Sequence, residues 1–424
     1  MYTELTWLRM AMRAFGLLCV LCLRHPALTQ ATVTHRLEQM DGLPPCSQSS
    51  NSRLIVSPFF LDDGTVYLLD STSPHPQTLY RSSDGGEHWE AILRPQSWYD
   101  HAAIRQFAIA PMRSPQGLIL YARAALWYTG GSTYALLRSV DSGDTWTIDQ
   151  MCDESLAYCR NWVGFYLTNQ TNVWFVPRRQ TNINFEADIQ RWDNSPWFPQ
   201  VDTVWNETGA LGLSISPDYA SDRLLYASLY PTSPTLKTAL IRSSDGGDTW
   251  QNGSTEGLCP GWAANMRFSP AFAEDRTVFA LQQGAVFKSV DAGTTWHHLY
   301  PPGGVACQIP APVVGAIDLQ LSPHYVSDGT AYVTSYNDEL QEGHLRISTD
   351  GGLSWQDLLR SAGHLDDLSV AASSLAPPLT LFLQRGQAGS YARHYRSDDG
   401  GMTWRCLPLP PRPRAYLPLL LKAQ

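Results

Sequence analysis

The chain has 424 residues, 43% of them hydrophobic and only 16% charged, which is too apolar and too weakly charged for a disordered segment. Its 31 glycines and 29 prolines imply many turns, and its 15 Trp, 19 Tyr and 13 Phe imply a sizeable core, so a coiled coil or simple helical bundle is excluded in favour of a turn-rich β protein. A formal charge of −9 opposes a sequence-independent grip on phosphates, and no nucleic-acid partner is expected.

At the amino terminus, Arg9 and Arg13 precede the apolar run from Ala14 to Leu23 and the small-residue stretch ALTQA. This pattern reads as a signal peptide over residues 1–31, with an uncleaved anchor as the alternative. The run is shorter than the roughly 18 to 20 apolar residues a bilayer span needs, and no later stretch approaches that length, so a secreted or extracytoplasmic protein without a transmembrane segment is expected. Residues 32–52 form an N-terminal segment. Beyond the leader six cysteines remain, Cys46, Cys152, Cys159, Cys259, Cys307 and Cys406. Their even number and wide spacing suit disulfides better than zinc ligation, and no metal or cofactor is expected.

From residue 53 onward one octapeptide recurs six times: SSDGGEHW from Ser82, SVDSGDTW from Ser139, SSDGGDTW from Ser243, SVDAGTTW from Ser289, STDGGLSW from Ser348 and SDDGGMTW from Ser397. Its Ser and Asp can bond turn amides, its fixed Gly supplies a positive φ, and its Trp opens the next strand and packs into the core. Apolar runs such as ALIR before it and WTID after it make it a hairpin turn between two strands. About 25 residues earlier lies a second repeat, for example LSISPDYASDRLLYAS, which reads as two strands joined by a Ser-Pro turn.

The aromatic of that second repeat is Tyr67, Tyr121, Tyr226, Phe279 and Tyr332, with steps of 54, 105, 53 and 53 residues. The double step implies a decayed unit, with Phe175 at the aromatic position and Trp192-Asp193-Asn194 near the turn, and Phe382 belongs to a last unit. The expectation is an all-β, seven-bladed β-propeller of four-stranded antiparallel blades, at about 53–93, 104–149, 161–205, 211–252, 265–299, 316–358 and 367–407. Two packed sandwiches are the alternative. Residues 408–424 form a Pro-rich and apolar C-terminal tail, and sequons stand at Asn169, Asn206 and Asn252.

The octapeptide resembles the Asp-box of bacterial-neuraminidase-repeat propellers, a group that includes sialidases, xyloglucan hydrolases, the sortilin ectodomain and photosystem II assembly factors. The resemblance implies a structural role for Asp84, Trp89, Asp141, Trp146, Asp245, Trp250, Asp291, Trp296, Asp350, Trp355, Asp399 and Trp404, away from any active face. Sialidase chemistry is disfavoured, because Arg53-Leu54-Ile55-Val56 lacks the proline of the Arg-Ile-Pro motif, and Arg81, Arg138, Arg242 and Arg396 read as plain strand residues.

Propeller ligands gather on the face formed by the loops between blades and those joining second to third strands. There the sequence places Trp98, Tyr99, Trp127, Tyr128, Trp162, Tyr230, Trp262 and Tyr336 as candidate ligand-binding aromatics, with Arg178 and Arg179 nearby. Loop acids Asp100, Asp153, Glu154, Glu186, Asp188, Glu207, Asp338, Glu339, Glu342, Asp366 and Asp367 are candidates for a carboxylate pair. No HExxH, GxSxG, GxxxxGK or GxGxxG occurs. The layout predicts disulfides Cys152 to Cys159, Cys259 to Cys307, and Cys46 to Cys406 across the closure of the ring. The functional expectation is a monomeric binding module without catalysis, taking a protein or glycan ligand, with a glycoside hydrolase and an assembly factor as alternatives.

Overall fold

The computed structural model of the chain describes residues 43–47, 52–70, 78–93, 101–128, 131–152, 162–168, 172–180, 185–187, 189–193, 200–205, 210–229, 240–259, 265–282, 284–302, 314–337, 339–371, 378–386 and 392–410. In the first sheet β1 (Ser52–Val56), β2 (Val66–Asp70), β3 (Thr78–Ser82) and β4 (Glu90–Leu93) pair in chain order. The second holds β5 (His101–Ser114), β6 (Gly117–Tyr128), β7 (Gly131–Ser139) and β8 (Thr147–Cys152). The third repeat holds β9 (Trp162–Leu167), β10 (Asn172–Gln180), β11 (Phe185–Ala187), β12 (Ile189–Asp193) and β13 (Gln200–Trp205). Then come β14 (Ala210–Ile215), β15 (Leu225–Leu229), β16 (Leu240–Ser243) and β17 (Gln251–Asn252), followed by β18 (Asn265–Phe268), β19 (Val278–Gln282), β20 (Ala285–Ser289) and β21 (His297–Tyr300). The last two sheets hold β22 (Val314–Leu321), β23 (Ala331–Asn337), β24 (Glu342–Ser348) and β25 (Gln356–Ala362), and β26 (His364–Ala371), β27 (Thr380–Gly386), β28 (Arg393–Ser397) and β29 (Arg405–Cys406).

This is an all-β propeller built of small antiparallel sheets, with one correction to the expected count. Six sheets are regular four-stranded blades, not seven, and the third repeat folds as a five-stranded sheet in which β10 pairs with β9, β11 and β12. The departure falls where the octapeptide is decayed, so the unit that lost its turn sequence also lost the regular blade. The first strand of each blade is innermost. The central strands β2, β15 and β23 are buried along nearly their whole length, because each sheet is covered on both faces by its neighbours. Hydrophobic clusters accordingly lie between blades. One joins Tyr67, Leu69 and Leu79 to Phe107, Leu118 and Leu120, and another joins Phe60, Leu68 and Tyr80 to Phe382 and Leu407, across the chain's two ends.

Four positions of the octapeptide, its Ser, Asp, fixed Gly and the residue before the Trp, have bonding roles. In the Ser243 copy the Ser hydroxyl donates to Asp245 Oδ1 (2.8 Å) and accepts from Gly247 N–H (2.7 Å), while Asp245 Oδ1 accepts from Thr249 N–H (2.9 Å) and Oδ2 from the Thr249 hydroxyl. The fixed glycine is left-handed in every copy, and at Gly401 (φ 97°) a Cβ would also stand 2.5 Å from Leu358 Cδ2. Bonds from Thr249 and its amide hold Asp245 down to about 2, and those from Ser354 do the same for Asp350.

The turn is also a clasp between blades. The carbonyl following the Asp faces the preceding blade: Ser142 O accepts from Tyr67 Oη (3.1 Å) and Arg81 Nη1 (3.0 Å), Gly85 O from Arg396 Nη1 (2.8 Å), Gly351 O from Lys288 Nζ (3.1 Å), and Ala292 O from Tyr226 Oη. Arg81 and Arg396 are therefore not plain strand residues. All six Trp residues pack on the core as expected, Trp296 buried within it and Trp89, Trp146, Trp250, Trp355 and Trp404 half-buried against it.

Cys46 and Cys406 form a disulfide, Cα to Cα 5.5 Å, that ties the N-terminal segment to the last strand. Around it the closing seam is bonded by Ser52 Oγ to His394 Nε2 (2.7 Å) and by Trp89 Nε1–H to Pro408 O (2.8 Å). Cys259 is disulfide-bonded as well, while Cys159, Cys307 and the side chain of Cys152 lie outside the described residues.

Candidate functional site

The innermost strands carry a shared irregularity. Register slips occur between Ala316 and Asp318 in β22, Leu365 and Asp367 in β26, Ile104 and Gln106 in β5, and Ala210 and Gly212 in β14. A β-bulge of this kind bends a strand and re-aims a side chain. After each slip the next residue stands opposite the position two beyond the repeat's aromatic: Asp318 opposite Thr334, Asp367 opposite Gln384, Gln106 opposite Arg123, and Gly212 opposite Ser228. Arg53, opposite Leu69, and Asn265, opposite Leu281, hold the same place without a slip. One level of the axial channel is thus set by Arg53, Gln106, Gly212, Asn265, Asp318 and Asp367.

Four of these six, with Arg267 of β18, line a cavity of about 250 Å³, close to the small end of ligand pockets. Arg267 Nη2 lies 3.4 Å from Asp318 Oδ1, and Arg53 Nε 3.7 Å from Asp367 Oδ2. The two aspartates differ in exposure and in the length of their ion pairs. Asp318 also accepts the Leu319 N–H (2.9 Å) and a Gln320 Nε2–H (3.0 Å), which fix the direction of its carboxylate. Asp367 stands farther from its arginine and is more exposed, at 33% against 14% for Asp318. Long, partly exposed pairs of this kind are worth less than about 1 kcal/mol each, so an incoming polar ligand displaces them at little cost. Arg267 also lines an adjoining cavity of about 440 Å³, walled by Ile109, Leu213, Ile215 and Phe268, and so stands at the junction of a polar and an apolar compartment.

A second charge cluster is structural. Arg346 Nε binds Asp357 Oδ1 (2.6 Å), Nη1 donates to Ser335 Oγ (2.7 Å), and Nη2 approaches His344 Nδ1 (3.2 Å). The cluster also joins two blades, since Tyr300 of β21 bonds both Arg346 and Ser335, and burial followed by the Arg346 charge pushes the His344 imidazole down.

The expected aromatic face is redrawn by these observations. Tyr336 lies in strand β23 rather than a loop, is 8% exposed, and has its ring covered by His364, centroids 3.6 Å apart. Trp127 and Tyr128 fall in β6 and Trp162 in β9, strands where loops were expected. Their side chains, those of Glu186, Arg178, Arg179 and Asp366, and the residues Trp98, Tyr99, Asp100, Asp153, Glu154, Asp188, Glu207, Tyr230, Trp262 and Asp338 lie outside the described residues. Of the acids named from sequence, Asp367 reaches the axial cavity; Glu342 stands beside His344 (3.8 Å), and Glu339 is exposed. Asp318, Asn265 and Arg267 were missed. A signal for the first two exists, since Arg53, Gly212, Asn265 and Asp318 each precede the Ser of a Ser-Pro turn by four residues.

No protein-family model matches the chain. Over 243 residues, 54% of this chain, it is 26% identical to a xyloglucanase from a Paenibacillus species, and the matched stretch is only 19% of that protein. Among solved structures, a puromycin hydrolase superposes with a TM-score of 0.53 at 11% identity, over 87% of this chain and 55% of that one. A GH74 xyloglucanase from Xanthomonas campestris gives a TM-score of 0.49 at 15% identity, over 86% and 70%. The puromycin hydrolase likeness speaks for the fold alone. Among the described residues no helix is long and apolar enough to cross a membrane.

Proposed function

We propose that this protein acts on a glycan, as a glycoside-hydrolase-type propeller with Asp318 and Asp367 as its two carboxylates. The observation that carries this reading is the placing of two aspartates from neighbouring blades at one bulge-defined level of a single axial cavity. The sequence similarity to a xyloglucanase supports it, and makes a β-linked glucan the first substrate to try. Glycosidic hydrolysis needs one carboxyl to protonate the leaving oxygen and one carboxylate to attack or to activate water. Asp318, held in place by Leu319, Gln320 and Arg267, takes the part of the attacking or water-activating carboxylate. Asp367 is the proton donor, and Arg53 and Arg267 take up sugar hydroxyls once their ion pairs are displaced. In this reading the octapeptide is an Asp-box, the leader directs export, and the enzyme works outside the cytoplasm.

The test is incubation of the full chain with xyloglucan and a panel of other glucans, reading new reducing ends and product masses. Release of a defined oligosaccharide, reduced at least about 100-fold in both Asp318→Asn and Asp367→Asn, is expected. Binding of a glycan by calorimetry with no release from folded protein overturns hydrolysis in favour of the second reading, a binding module. That alternative draws on the balance of the cavity, in which each aspartate faces an arginine.

A further inference from the structure

Behind Asp367, on the side away from the axial channel, lies a second and much smaller space. It measures about 10 Å³, the scale of one water molecule, and is lined by Leu54, Asp367, Ser369, Gln384, His394 and Tyr395, among others. Two of its polar atoms, His394 Nδ1 and Gln384 Oε1, are fully buried and accept or donate no hydrogen bond within the protein. His394 is 3% exposed, and its other nitrogen is bonded to Ser52 Oγ on the first blade at 2.7 Å. Two buried atoms left unsatisfied destabilise the fold, whereas one water between them satisfies both.

We propose that one structural water, held by His394 and Gln384 at the closing seam, hydrogen-bonds the rear of Asp367 and makes His394 the positioning residue for that carboxyl. One arrangement of donors serves His394, Gln384 and an ionised Asp367 together. If the Ser52 hydroxyl donates to Nε2, the imidazole is neutral with its proton on Nδ1, and Nδ1–H donates to the water. The water then has two hydrogens left, one for Gln384 Oε1 and one for an Asp367 oxygen. An Asp367 oxygen that accepts from behind leaves the other oxygen to carry the carboxyl proton toward the channel. His394 itself stays neutral because burial holds it down to about 4. Among the described residues, the charged and titratable groups that line the two spaces on either side of Asp367 are Arg53 on β1, Arg267 and Asp318 across the cavity, and His394 and Tyr395 on β28.

The role given to Asp367 in catalysis rests on the proposed hydrolase reading; the water site does not. The decisive experiment is therefore NMR on the full chain, with ¹⁵N-labelled histidine and ¹³C-labelled aspartate. The expected results are an Nδ1–H tautomer for His394 with a cross-peak to a long-lived water, and a titration of Asp367 that moves to higher pH by about tenfold in its protonation equilibrium in Gln384→Met, which removes an anchor of that water. Ser52→Ala should release the tautomer, and it provides a second variant if Gln384→Met folds poorly. An Nε2–H tautomer measured at a pH where Asp367 is ionised overturns the proposal, because a water donating to Nδ1 and Gln384 has no hydrogen left for that carboxylate. An Asp367 titration unchanged in both variants also overturns it. On an active substrate, the acid limb of the kcat/KM profile should move with the Asp367 titration while KM holds. Absence of any activity with the NMR results intact would sink the hydrolase reading and leave the water site standing.

Discussion

Replacing both Cys46 and Cys406 with serine removes the covalent link between the first and last segments of the propeller. The bond closes a loop of 360 residues. The chain-entropy relation gives about 6 kcal/mol for a loop of that length, and native disulfides in practice contribute about 2 to 5 kcal/mol. Other links across the seam include the Ser52 to His394, Trp89 to Pro408 and Arg396 to Gly85 bonds, each worth about 1 kcal/mol net, and the partly exposed Arg53–Asp367 and Arg405–Glu87 ion pairs, worth about 1 kcal/mol or less. Cys406 thus provides the largest single contribution to closure. Urea unfolding of the double variant against the oxidised parent, followed by tryptophan fluorescence, should show a loss of at least about 2 kcal/mol. The slope should rise as well, because an uncrosslinked denatured chain exposes more surface. A loss under about 1 kcal/mol would show that packing around Leu43, Phe60 and Leu407 closes the ring without the bond, and would refute the reasoning.

Asp245→Ala leaves the Thr249 amide and hydroxyl without their acceptor and should cost about 1 to 3 kcal/mol in thermal or urea unfolding, with Thr249→Ala costing less; equal losses would mean that the carboxylate does not organise the turn. Tyr226→Phe should cost about 1 kcal/mol by removing the bond to Ala292 O while keeping the ring's packing, and a neutral result in the same assay would remove the interblade clasp from the account. Asp245, Asp291, Asp350 and Asp399 all sit near 2 in the folded protein against an ordinary 3.8, so their contribution is present above about 4 and lost as pH falls toward 2; a stability flat between those limits would contradict this. For His394 the folded protein resists the proton down to about 4 while the unfolded chain accepts it near 6.5, so lowering the pH through that window should remove about 3 kcal/mol, and His394→Gln should flatten that part of the curve.

How much of this could be read from the residues themselves follows from the range of each interaction. The octapeptide was legible because its bonds are local: Ser243, Asp245, Gly247 and Thr249 meet within six residues, so the chemistry is written in the text. The blade period was legible for the same reason, since each four-stranded sheet joins neighbours in sequence and alternates turn signals with apolar strands. The closing disulfide was foreseeable from the places of Cys46 and Cys406 before the first blade and at the end of the last. The fold of the third repeat was not, because without the turn sequence nothing local fixes where β10 ends, and it takes on β11 as a further partner.

Only the tertiary structure assembled the axial site. Asp318 and Asp367 stand 49 residues apart in the chain, and Arg53 more than 200 residues from either. They share one cavity because the ring brings every innermost strand to the axis, and because a one-residue slip in β22 and β26 decides which side chain is aimed there. A slip of one residue leaves no trace in composition or period, yet in a strand it sends a side chain to the opposite face. Repeated local chemistry therefore determined the six regular blades from sequence alone, while the charges at their centre depended on closure, which no segment of the chain can specify by itself.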